Sequence, residues 1–110
     1  MKKNILAFPS RPNAIDAQLK SAIANKRLIR FTYNNQEPRV AEPHDYGMRN
    51  GIDQLLVYQR KKAGHYLTGW RSLEVSKIES LVVLDDTFRG TRGRPHQEHT
   101  LWDALYARVE

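Results

Sequence analysis

The chain has 110 residues and a formal charge of +6, too short for two independent hydrophobic cores, so a single core must organise it. Its 40% apolar content against 27% charged residues excludes a disordered chain, and the absence of cysteine excludes disulfides, thiolate zinc sites and cysteine nucleophiles. The basic excess favours polyanionic partners through long-range attraction and counterion release, unless it serves solubility alone.

Residues 1–12 carry no sustained period and contain Pro9 and Pro12, which restrict the residues before them, so the sequence predicts an extended N-terminal arm. The apolar stretch Ile5-Leu6-Ala7-Phe8 is far shorter than a signal h-region or a membrane span. The expectation is a cytoplasmic protein with no membrane association. Asn13 is placed to cap a short amphipathic helix over residues 14–26, in which Ile15, Leu19, Ala22 and Ile23 recur at three- and four-residue spacing.

Five strand segments follow. Leu28 to Tyr33 alternates, with Ile29, Phe31 and Tyr33 on one face. Asn34-Asn35-Gln36 supplies a turn, and Arg39 to His44 reads as the return strand, with Pro43 expected at an edge or a strand end. Gly47 and Arg49-Asn50-Gly51 mark the next turn, and Gln54 to Gln59 is an apolar run suited to a central strand covered on both faces. Lys61 to Gly64 turns the chain into residues 65–75, bent at Gly69, and Ile78 to Leu84 is the last core strand. Arg89 to Pro95 is charged, rich in breakers and expected to be a mobile linker. Leu101, Trp102, Leu105, Tyr106 and Val109 fall at helical spacing, which predicts a short C-terminal helix capped by Thr100.

Short strands with no crossover helix between them exclude a βαβ layout and predict a mostly β (α+β) fold, a small antiparallel barrel with one helix at each end. The expected organisation is an arm over residues 1–12, a barrel domain with its helix over 13–89, and a basic linker and helix over 90–110. Small barrels fill their interiors with side chains, so ligands meet an outer face, an edge or loops.

The segments Ile29 to Tyr33, Arg39 to His44, Leu55 to Tyr58, and Arg71 to Ile78 with Phe88 together resemble a WYL domain over residues 27–89. The resemblance implies an Sm or SH3-like barrel and a regulatory role. In bacteria such domains commonly follow a helix-turn-helix in transcription regulators and sense ligands, often nucleotides or nucleic acid. Gln54-Leu55-Leu56 stands where the family has Trp-Tyr-Leu, and the 26 residues before the barrel leave no room for a helix-turn-helix. A standalone sensor or accessory module is therefore expected. Arg71 falls on the first arginine of the family's basic stretch, Lys77 where a second basic residue precedes isoleucine, and Arg39 opens the second resembling segment.

From strand alternation, Arg71 shares a face with Leu73 and Val75, where it either pairs with Glu42 or Asp45 or meets an anion bidentately. Arg60, Lys61 and Lys62 are placed to grip phosphates or simply to solvate a hairpin tip. Tyr58, Trp70, His44 and Tyr46 offer rings for base stacking beside those cations, or ordinary packing. The ligand-binding candidates are therefore Arg71, Lys77, Arg60, His44, Tyr58, Trp70 and Arg39. The backbone amides of residues 89–94 are a weaker phosphate cradle, lacking the glycine-lysine-serine ending of a phosphate loop. His96, Glu98 and His99 invite a metal reading but lack a further ligand set, and no nucleophile, base and orienting group form a catalytic motif. Binding without catalysis or a cofactor is expected, with a nucleotide or single-stranded nucleic acid as partner. The alternative is a protein-interaction or self-assembly module, such as a homodimer, built on the barrel edge and the C-terminal helix.

Overall fold

The computed structural model describes residues 10–93 and 102–110, with side chains from residue 14 onward in the first helix. In chain order the elements are α1 (Ser10–Ala24), β1 (Arg27–Tyr33), β2 (Pro38–Arg49), β3 (Ile52–Lys62), β4 (His65–Glu74), a short 3-10 turn (Val75–Lys77), β5 (Ile78–Thr87) and β6 (Ala104–Arg108). The expected mostly β architecture is observed: one antiparallel sheet runs in the order β4-β3-β2-β1-β5, with β6 added on β2. The strand at its centre is β2, not the expected β3, although Leu55, Leu56 and Val57 of β3 are buried on both faces as their apolar run implied.

Turn chemistry sets the registers. Arg49 pairs with Ile52 across Asn50-Gly51, and Lys62 pairs with His65 across Ala63-Gly64. In both two-residue loops the central residues have positive φ (+56° and +75°, then +54° and +78°), the left-handed turn that matches strand twist. Helix α1 lays Leu19, Ala22 and Ile23 on the sheet, where Ile29, Phe31, Ala41, Leu55, Val57 and Leu73 complete the core. Burying a large aliphatic side chain contributes about 1.5–3 kcal/mol, so this layer dominates stability.

Four expectations are corrected. Helix α1 starts at Ser10, not at a cap on Asn13, so residues 10–12 are helical; Pro12 is tolerated because first-turn N–H groups lack intrahelical partners anyway. Residues 1–9 lie outside the described residues. Pro43 sits inside the central strand rather than at an edge. It occupies the stretch where one side of β2 leaves β1 after Ala41 and takes up β6 from Asp45, beside a register shift against β3, so its missing N–H falls in a gap of the ladder. Gly47 is not a turn residue but a strand residue. A Cβ there would collide with the Ala104 carbonyl oxygen and stand 2.8 Å from the Trp102 ring, so glycine admits the next strand at close range.

That next strand is the fourth correction, because residues 104–108 form β6 and not a helix. Asp45 to Met48 of β2 pair with Arg108 to Ala104, and Val109 donates to the His44 carbonyl at 2.8 Å. Residues 104–108 thus belong to the same sheet as β2. Gly90 is itself buried, with the backbone of Glu110 3.1 Å from where its Cβ would stand. Among the described residues no helix is long and apolar enough to cross a membrane.

Candidate functional site

Strand alternation and register bring Glu42, Tyr58 and Trp70 to one face of β2, β3 and β4, opposite the core: Glu42 pairs with Tyr58, and Tyr58 with Trp70. Lys61, opposite Val40, shares that face, and Arg60 occupies the register shift between them. The Glu42 carboxylate, 2% exposed, is the hub. Arg60 Nη1 donates to Oε2 at 2.9 Å, Arg92 Nε and Nη2 donate to Oε1 and Oε2 at 2.9 and 2.8 Å, and His44 Nε2 lies 3.1 Å from Oε1. Burial by itself pushes this carboxyl up, but the hydrogen bonds from His44, Arg92 and Arg60 and the Arg92 charge outweigh it and hold the pKa at about 2. The ion set is therefore locked at neutral pH, with two arginines against one acid.

An aromatic cluster backs the ions. The His44 and Trp70 rings meet edge-on at 4.8 Å, Tyr58 and Trp70 at 5.3 Å, and Phe88 lies 5.4 Å from His44. Arg92 Cζ sits 3.7 Å from the Tyr58 ring centroid, a close cation–π stack. Beside this cluster, with Phe88 in common, is a cleft of about 840 Å³ lined by Glu42, Arg60 and the strap Thr87 to Arg92. The strap is held by Phe88 N–H donating to the Lys26 carbonyl at 2.9 Å. Arg89 adds a third cation at the rim, so the cleft presents three guanidiniums against one carboxylate.

No family model matches the sequence, and no curated protein matches it. Among solved structures, the chain is similar to proteasome accessory factor B/C (PafBC) of Arthrobacter aurescens, at a TM-score of 0.63 and 22% identity. The likeness covers 78% of this chain and 14% of that one, so the chain spans a small part of the protein it matches. At this identity the likeness shows a shared fold.

Of the seven sequence candidates, the structure brings Arg60, His44, Tyr58 and Trp70 together. His44 is buried, so it orients Glu42 and Trp70 and offers no free face for stacking. Tyr46 is buried as well, donating its hydroxyl to Asp16 at 2.7 Å. Arg71 and Arg39 lie elsewhere. Arg71 pairs with Val57 on the core-bearing face of the sheet and donates to the Trp70 carbonyl at 2.9 Å. It reaches neither Glu42, which faces the other way, nor Asp45, which takes Arg108 at 3.2 Å. Arg39 donates to Gln59 at 3.3 Å and lies over the Tyr33 ring. Lys77 is exposed and paired with Glu74 at 3.1 Å.

Glu42, weighed in the sequence only as a partner for Arg71, and Arg92, weighed only within the 89–94 linker or backbone cradle, are the cleft residues that the ligand-binding candidates leave out. The signal for Glu42 was an acid wedged between Ala41 and Pro43 in a strand, where a carboxylate demands partners. Arg92 carried no side-chain signal, because a basic residue in a glycine-rich stretch reads as a linker or, through its backbone amides, as a weak phosphate cradle. The His96 to His99 metal reading lies outside the described residues; among the described residues no cluster of three potential metal ligands occurs.

Proposed function

We propose that this domain is a WYL-like regulatory binding module that recognises a nucleotide or a single-stranded nucleic acid at the Glu42 cleft, by binding and not by catalysis. One observation carries the reading: a single buried carboxylate in a basic cleft fixes both Arg60 and Arg92, and Arg92 lies 3.7 Å from the Tyr58 ring, which packs on Trp70. Fixed guanidiniums suit phosphate oxygens, and neighbouring rings suit base stacking, the pairing of features used by single-strand binding sites. The sequence resemblance to WYL domains and the shared fold with part of PafBC support a sensing role for the module. Arg60, Lys61 and Arg89 take the phosphates and Tyr58 with Trp70 the base.

The test is anisotropy of a labelled single-stranded oligonucleotide, with a mononucleotide and a duplex as competitors. Three phosphate contacts on a single strand predict a loss of roughly 20-fold in affinity between about 50 and about 200 mM salt. Arg60→Ala should reduce the slope of log K against log salt by about 0.7. Binding that ignores salt, or that survives both Arg60→Ala and Tyr58→Ala unchanged, refutes the assignment.

A further inference from the structure

Base stacking at the cleft meets an obstacle inside the chain. Tyr58 and Trp70 do not line the cleft themselves; Arg92 does, with its guanidinium 3.7 Å from the Tyr58 ring centroid. A base and Arg92 cannot occupy one ring face together. We propose that Arg92 is a built-in latch that competes with the ligand's base for the Tyr58 ring, an inference that rests on the binding reading above.

The surroundings suit a side chain that exchanges. Arg92 is 41% exposed although its carboxylate partner is buried, so it reaches the hub from the solvent side. The strap is anchored ahead of it, at Phe88 through the Lys26 carbonyl and at Gly90 against the Glu110 backbone, so Arg92 can swing without the strap leaving. When it swings, Glu42 keeps its contacts from Arg60 at 2.9 Å and His44 at 3.1 Å and is not orphaned. Release therefore exposes the Tyr58 ring face, and a ligand with both base and phosphate is favoured over one with phosphate alone.

The experiment compares a short oligothymidylate with an abasic strand of the same length, on the full chain and on Arg92→Ala and Arg92→Lys. If the closed form prevails, apparent affinity falls by the fraction of open molecules, so Arg92→Ala should tighten oligothymidylate binding roughly threefold to tenfold. Lysine cannot make the planar two-bond contact, and Arg92→Lys should fall between. The abasic strand should gain nothing. Methylguanidinium, which refits the space between Glu42 and Tyr58, should return Arg92→Ala toward wild-type affinity, a readout that a merely destabilised variant would not give. Weaker binding of both strands by Arg92→Ala makes Arg92 a phosphate clamp and overturns the latch while leaving the binding reading intact. Equal tightening of both strands also overturns it. If no protein binds either strand, the binding reading fails first and takes the latch with it.

Discussion

The two faces of the β2, β3 and β4 sheet region hold their arginines in opposite ways. On the cleft face Arg60 and Arg92 converge on one buried carboxylate. On the core-bearing face, among the described residues, Arg39 and Arg71 make no ion pair; Arg39 uses the Gln59 amide and the Tyr33 ring, and Arg71 uses a backbone carbonyl. Gln59 and Gly69, paired across the strands, stand between them. The difference teaches that guanidinium count says little about a site. What matters is whether a desolvated counter-charge fixes the group, because only then is its removal expensive and its pose ready for a ligand.

The sharpest way to break this contrast is Glu42→Ala, which leaves Arg60, Arg92 and His44 without their acceptor. It should cost about 3 kcal/mol or more, as removal of one member of a buried ion set does, against about 1 kcal/mol or less for Arg71→Ala. Urea unfolding reads both. A Glu42→Ala variant within 1 kcal/mol of wild type, the scale of exposed pairs, would show that the hub is a surface ion pair in disguise.

Next in size is the acid response. The Glu42 pKa is held at about 2 from an ordinary 4.5, so the stabilisation is fully present above pH 4.5 and is lost as pH falls toward 2. That shift corresponds to about 3 kcal/mol across the window. Glu42→Gln should be less stable near neutrality and should lose much of the acid-induced decline between those limits. Parallel pH profiles for the two proteins would remove Glu42 from the account.

Gly69→Ala probes the other face at a smaller scale. Gly69 has φ +144°, where a side chain is strained, and a Cβ would stand 2.8 Å from Arg71 Nη1. The strain alone costs about 1–3 kcal/mol. Pairing Gly69→Ala with Arg71→Ala should recover the clash but not the backbone strain. Full recovery would mean that the guanidinium, not the dihedral, demands glycine.

The same contrast explains what was legible in the sequence. Ile29, Phe31 and Tyr33, and the turn residues Asn50 and Gly51, announce their local conformation through alternation and positive φ, which need no knowledge of distant residues. Leu105, Tyr106 and Val109 do not. They fit a helical period, yet Leu105, Ala107 and Val109 also alternate, and a five-residue strand is too short for periodicity to decide. What decides is Gly47, which lets that segment close on β2 across a long sequence separation. Likewise Tyr58 and Trp70 are neighbours by hairpin register, with Arg60 two residues beyond Tyr58, a grouping that local pattern carries. Arg92 joins them through a contact 50 residues from Glu42, which local pattern does not carry.

The smallest expected effect discriminates best between a structural and a ligand-binding Arg39. Its Nε is buried and, among the described residues, has no hydrogen-bond partner. An unmade bond of this kind costs about 1–3 kcal/mol, which opposes the gain from the 3.3 Å bond to Gln59 and the cation–π contact with Tyr33. Arg39→Met keeps most of the apolar stem and deletes the unsatisfied donor, so it should leave stability within about 0.5 kcal/mol of wild type, or raise it. If oligonucleotide affinity also stays unchanged, the core-bearing face plays no part in recognition and the cleft accounts for it. A clear loss of affinity at unchanged stability would instead assign that buried donor to the ligand and divide recognition between the two faces.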